Sequence, residues 1–269
     1  MDRLFIGSEG TLGVITEATI RVFPRPTHRI LKSIVFPNFE TGYSALVEML
    51  AHGIAPTVLD YGDEPESGDD ATLFVTFEGF EAHALAHWHE ADEIFAKFDG
   101  RPGNQAEVER YWQTRHSTAE RYQRDVLNSS APSESRLQPS NYWMEYLHVA
   151  LPTSDVLEYR RQCQRILQSR NIIVREWSVW GRVEWFSLLL IDPNDQKDSS
   201  INNMAEDVDE VLRLAHSMGG TMDYNHGVGL KLAHLMPEEL GTAYETVRAI
   251  KNVLDPNGIM NPGKLLTQI

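Results

Sequence analysis

The sequence predicts an α+β fold, with a large antiparallel sheet covered by helices in roughly ferredoxin-like units. Two observations carry this. Short β-branched runs that alternate in polarity are interleaved with amphipathic helical stretches, and the second half of the chain repeats the element order of the first without repeating its residues. A third is the hairpin-like turn Gly181-Arg182 between two apolar runs. At 269 residues and 42% hydrophobic content the chain is long enough to bury a sizeable core.

In chain order, residues 1–26 read as glycine turns followed by β-type residues, with strands at Val14–Thr16 and Ala18–Val22. Pro24 and Pro26 end that pattern, because proline lacks the donor a ladder needs, and mark a boundary. Ile30–Phe36 is a strand, residues 40–52 a helix stopped by Gly53, Ala71–Phe77 a strand and Glu81–Phe98 a long helix. Glu107–Leu127 is a polar helix, and residues 128–140, rich in serine and proline, form a loop. The second half gives a strand at Tyr142–Leu151, a helix at Asp155–Ser169, strands at Ile172–Trp180 and Val183–Ile191, and a helix at Asn202–Met218. A glycine-rich loop, Thr221–Lys231, leads to a last helix, Pro237–Leu254, and two closing turns.

Net charge is −15, which argues against nucleic-acid or anionic-membrane partners. No apolar run reaches the roughly 18 residues of a membrane span. The single cysteine, Cys163, lies on an apolar stripe and reads as a buried structural thiol. Asn128-Ser129-Ser130 matches a glycosylation sequon, a pattern common by chance. The opening residues lack the form of a signal peptide, so the expected compartment is cytoplasmic.

Three segments could carry chemistry. Gly7-Ser8-Glu9-Gly10-Thr11-Leu12-Gly13-Val14-Ile15 has glycines that would let backbone amides approach a ligand closely, or simply form two tight turns. His226-Gly227-Val228-Gly229, followed by Lys231, sets an imidazole that can exchange protons near neutral pH between flexible residues, or a loop histidine bonded to backbone. Asp255–Leu265 (DPNGIMNPGKL) reads locally as a helix stop and two turns.

Taken together and in this order, "LFIGSEGTLGVIT", "HGVG" and "LDPNGIMNPGKLL" resemble the FAD-linked oxidases of the vanillyl-alcohol-oxidase, or PCMH-type, superfamily. The resemblance implies that residues 1–26 are the last piece of an FAD-binding domain and 27–218 a substrate, or cap, domain. Residues 219–269 would be an active-site loop and a helix returning to the FAD side. It implies FAD as cofactor, met by Glu9, Gly10, Thr11, Leu12, Gly13, Val14 and Ile15 and by Asn261, with His226 facing the flavin from the substrate side. Family members are longer. The chain therefore resembles their back half, and is expected to bind FAD weakly or not at all by itself.

Among the branches, the metal-dependent hydroxy-acid oxidases are demoted, because Asn225 stands before His226 and the Trp180–Phe186 hairpin has no histidine. The alkyl-dihydroxyacetone-phosphate synthase-like branch of ether-lipid chemistry is nearer, through Gly227-Val228-Gly229, Lys231 and an Arg124-Asp125-Val126-Leu127 stretch whose arginine could fork onto a phosphate. Its tyrosine acid has no counterpart at Trp185-Phe186. The implied catalytic set is His226, Arg124 and Lys231, with no metal ligand. A metal-independent oxidase or dehydrogenase of a hydroxy acid or alcohol is the alternative, with Trp177, Trp180, Trp185 and Phe186 either setting specificity or forming ordinary sheet core. A non-catalytic cap subunit and an inactive remnant are the rivals from other classes. The partners are a small-molecule substrate and a chain carrying the missing FAD-binding half; a homodimer is compatible with the same reading.

Overall fold

The computed structural model of the chain describes residues 2–63, 68–117, 120, 144–192, 203–223 and 225–266. Its frame is one seven-stranded antiparallel sheet. The elements are β1 (His28–Phe36), α1 (Phe39–Ala51), β2 (Val58–Asp63), β3 (Ala71–Gly79), α2 (Glu81–Lys97), β4 (Arg101–Pro102) and α3 (Gln105–Thr114), then β5 (Met144–Ala150), α4 (Val156–Ser169), β6 (Ile173–Trp180), β7 (Trp185–Ile191), α5 (Asn203–Ser217), α6 (Met236–Leu240) and α7 (Ala243–Leu254). The strand order is β4-β1-β3-β2-β6-β7-β5.

That order contains a duplication. Each half runs β-α-β-β-α, and its strands lie first, third, second from the outside inward, so the two triplets meet at β2 and β6 like mirror-ordered hands. The seam is four residue pairs, from Asp60 opposite Trp180 to Asp63 opposite Trp177. The sequence reading missed β2 because VLDYGD holds a glycine and two aspartates, all depleted in strands. Gly62 is required there: a Cβ would come within 2.8 Å of the Trp177 carbonyl oxygen across the seam.

Strand alternation sends Leu59, Tyr61, Leu73, Val75, Val179, Phe186, Leu188, Leu147 and Val149 to one face, where they form a single core with α1, α2, α4 and α5. Phe186 ties the halves together, its ring 6.0 Å from Phe39 of α1, 5.9 Å from Tyr159 of α4 and 5.8 Å from Trp177. The Tyr43 hydroxyl donates to the Val183 carbonyl at 3.0 Å, a second tie between halves. Cys163 is buried in this core, as expected. On the sheet's other face, α3 is the only helix among the described residues; it lies at the β1–β3 end, where Tyr111 stacks on Phe74 with ring centroids 4.1 Å apart.

Three expectations change. Val14–Thr16 and Ala18–Val22 form no strand, since no other described segment lies beside them to complete a ladder; Val14, Ile15, Ile20, Val22 and Phe23 are left exposed. The polar helix starts at Gln105 and its regular part ends at Thr114, with much of its expected C-terminal portion outside the described residues. The last helix is two, because Gly241 at φ +51 ends α6 before α7 begins. The 128–140 loop and the Asn128 sequon lie outside the described residues.

Candidate functional site

The three motifs converge on one place. Gly7, Glu9 and Gly10 all have positive φ, and the resulting turn is closed by the Ser8 hydroxyl on the Phe5 carbonyl and the Thr11 hydroxyl on the Ser8 carbonyl, at 2.9 and 2.6 Å. From the far end of the chain, the Asn261 side-chain amide donates to the Glu9 carbonyl. Lys251 on α7 donates to the carbonyls of Thr11 and Met260 at 2.7 and 2.8 Å and to the carboxylate of Asp255. Asp255 in turn accepts the Ile259 and Met260 amides at 3.0 and 2.8 Å. The closing motif is thus a helix stop built to hold the opening turn.

The histidine loop joins from the third direction. The Glu9 carboxylate accepts the Val228 amide on one oxygen at 2.5 Å and the Gly229 amide on the other at 2.9 Å. Gly227 has φ +80, and a Cβ on it would lie 2.7 Å from the same carboxylate. The Asp223 side chain accepts the amides of Asn225, His226 and Gly227, fixing the turn before it. Tyr224 lies outside the described residues.

His226 is exposed and meets the sheet face opposite the core. Its ring packs edge-on against His148 of β5, centroids 4.4 Å apart. His148 is buried, its Nδ1 is 2.7 Å from the Ser187 hydroxyl, and Tyr146 lies 4.5 Å beyond it. Burial first, then the proximity of His226 and Lys231, lowers the His148 imidazole to about 4, so it is neutral at pH 7. The Tyr146 hydroxyl donates to Glu176 at 2.8 Å, and burial, then the Glu176 charge, drives its pKa well above the phenol's usual value. Beyond it, Trp180, Ser178, Glu176, Asp60, Phe74 and Tyr111 line a cleft of ≈ 370 Å³ between the sheet and α3. Asp60 there is pushed up to about 6 by burial, opposed by a hydrogen bond from Tyr111 and reinforced by Glu176.

Of the residues singled out in the sequence, Glu9, Gly10, Thr11, Asn261 and His226 are brought into one neighbourhood. Thr11 and Leu12 point into the protein and are buried, which leaves Gly10, Gly13, Val14 and Ile15 with Phe5, Met260 and Asn261 to line an open cleft of ≈ 530 Å³. Lys231 is held by Glu145 of β5 rather than standing free. Arg124 lies outside the described residues. Trp177 and Phe186 are core, so of the four proposed specificity aromatics only Trp180 lines the cleft under α3. Tyr146, His148, Glu176 and Asp60 were missed. Their signal was the alternation of Tyr146 and His148 with Leu147 and Val149, which puts polar groups on every second residue of a strand read only as a strand.

A family model described as FAD linked oxidases, C-terminal domain, matches residues 25–265. The chain belongs to that family. FAD is the family's cofactor, and this FAD-linked oxidase domain has residues that fit it: Gly10 and Gly13 line the cleft with no side chain to fill it, and Val14 and Ile15 offer apolar surface, 77% and 62% exposed. Among curated relatives, the probable mitochondrial D-lactate dehydrogenase of Danio rerio is 27% identical over 99% of this chain and 54% of its own length. The glycolate oxidase subunit GlcD of Escherichia coli K12 is 25% identical over 97% of this chain and 52% of its own. The chain spans about half the length of the curated relatives it matches. Among solved structures, an alkyldihydroxyacetonephosphate synthase superposes with TM-score 0.63 at 17% identity over 95% of this chain and 48% of that one. Substrate-bound p-cresol methylhydroxylase gives 0.57 at 16% over 91% and 54%. These two share the fold, a mixed arrangement of sheet and helices. No helix among the described residues is long and apolar enough to cross a membrane.

Proposed function

We propose that this chain is the substrate-facing half of an FAD-linked oxidoreductase that oxidises a 2-hydroxy acid. Residues 27–218 would be its cap, and residues 1–26 and 219–269 its edge toward the flavin. The supporting observation is the line His226–His148–Tyr146 on the open sheet face, pinned through Glu9 to the segment expected to meet the cofactor. FAD, when bound, supplies the hydride acceptor. In this chain His226 takes the proton of the substrate hydroxyl. His148, kept neutral, places no second positive charge beside the imidazolium that forms. Tyr146 and Ser178 present hydroxyls, and Glu176 an acceptor, to the substrate's polar groups. The hydroxy-acid choice follows the names of the relatives, D-lactate dehydrogenase and glycolate oxidase subunit, and restores a branch the sequence reading had demoted in its metal-dependent form.

The synthase-like reading comes second. It rests on Gly227-Val228-Gly229, Lys231 and Arg124, and Tyr146 supplies the hydroxyl it lacked at Trp185-Phe186. The remaining FAD contacts would come from another segment or from a partner chain resting on the exposed Val14–Phe23 strip. The test is turnover of D-lactate and glycolate by the flavin-loaded protein. His226→Ala should lower it at least tenfold, roughly 1.4 kcal/mol of barrier. Unchanged turnover removes His226 from the reaction. Turnover of an acyl-dihydroxyacetone phosphate, with none of the hydroxy acids, selects the synthase reading.

A further inference from the structure

We propose that Glu9 is a positioning residue, a latch whose carboxylate holds the His226 loop against the cofactor-facing turn. This rests on the reading of His226 as the proton acceptor. Glu9 sits at φ +54, a conformation that glycine or asparagine would take more easily. What only a long carboxylate supplies is two acceptor oxygens aimed at two successive amides. Those amides, Val228 and Gly229, lie 219 and 220 residues away in sequence. Hydrogen bonds from backbone amides to a carboxylate are stronger than those between neutral groups, which offsets the backbone cost.

The same contact explains the loop's own sequence. Gly227 has no space for a Cβ because Glu9 occupies it, so the glycine after His226 and the glutamate at position 9 are two sides of one fit. The Glu9 carbonyl is meanwhile taken by Asn261, which ties the latch to the closing turn. Asp223 holds the loop through the Asn225, His226 and Gly227 amides, and the Glu9 carboxylate takes the two that follow, Val228 and Gly229, so removing it would leave the loop beyond Gly227 without that anchor to the opening turn.

The test is a double-mutant cycle in the flavin-loaded enzyme, joined to amide exchange in the protein. If Glu9 acts through His226, Glu9→Ala lowers kcat about tenfold, and Glu9→Ala with His226→Ala is no slower than His226→Ala alone, within about twofold. The Val228 and Gly229 amides should exchange at least about tenfold faster in Glu9→Ala, and to an intermediate extent in Glu9→Gln, which keeps one acceptor oxygen. Multiplicative losses in the double variant, or unchanged exchange at both amides, overturn the latch. Should Glu9→Ala not fold, Glu9→Gln carries both measurements. Should the wild-type enzyme oxidise no hydroxy acid, the functional reading falls, while the exchange of Val228 and Gly229 still decides the latch.

Discussion

The two β-α-β-β-α halves share a topology and differ in what they show on the sheet's outer face. In the first half, α3 lies over that face: Tyr111 stacks on Phe74, and Trp112 is flanked by Arg29 and Arg115 at 4.2 and 3.5 Å. In the second half no helix among the described residues lies over the face, which carries Tyr146, His148, Glu176 and Ser178, with His226 arriving from the C-terminal loop. The shared inner face is one continuous apolar core. The lesson is that duplication supplies a platform, and that the chemistry comes from the every-second-residue positions the core does not use.

The sharpest way to break this comparison is to cut the shared core. Phe186→Ala removes the ring that touches Phe39, Tyr159 and Trp177, and should cost about 3–5 kcal/mol in denaturant unfolding. If the halves are one cooperative unit, the variant still unfolds in a single transition. Two resolved transitions would mean that the halves are separate domains. A smaller effect separates the outer faces. Tyr146→Phe deletes the hydroxyl that Glu176 accepts and should lower kcat/KM about fivefold, near 1 kcal/mol for one hydrogen bond. Arg29→Ala, on the covered half, should leave kcat/KM within about twofold. Equal losses would erase the functional difference between the faces.

Much of this was legible in the sequence, for physical reasons that can be named. Ile30–Phe36 and Ala71–Phe77 were found because β-branched and aromatic residues dominate them, and α1, α4 and α5 because their apolar residues recur at helical spacing. The convergence of the Glu9, His226 and Asn261 segments was read from a three-motif resemblance; spacing alone left each as a turn. The contacts that make the site were not legible. The Glu9 carboxylate reaches across 219 residues, and no local pattern announces such a partner. The Val14–Val22 strands failed in the opposite sense: their residues are right for a ladder, and the described chain supplies no neighbour to complete it.

Acidity should also tell the halves apart. His148, in the second, is held at about 4, so between about 4 and 6.5 the unfolded chain binds a proton that the folded chain does not. Its contribution to stability is present above that window and lost as pH falls through it. Asp60, in the first, is raised to about 6, and the sign reverses: its contribution is full below about 4 and lost as pH rises through 6. The two therefore oppose each other over the same range. Asp60→Asn should lose stability more steeply than wild type on going from pH 6.5 to 4, and His148→Gln less steeply, in urea titrations at each pH. Parallel profiles for all three proteins would show that neither group is perturbed.

The smallest test compares helices that correspond in the duplication. α1 and α4 each follow the first strand of their half, yet their N-termini are closed differently. Asn38 accepts the Thr41 amide at 2.8 Å, whereas the Asp155 side chain makes no capping bond. The first amides of α1 thus have a side-chain partner that those of α4 lack. Asn38→Ala should cost about 1 kcal/mol, the usual worth of such a cap, while Asp155→Ala should cost only a few tenths, what remains being a carboxylate's attraction to the helix N-terminus. Thermal unfolding resolves that difference. Equal costs would mean that Asp155 caps its helix in solution, and that the duplicated halves are more alike at their helix starts than their backbone geometry records.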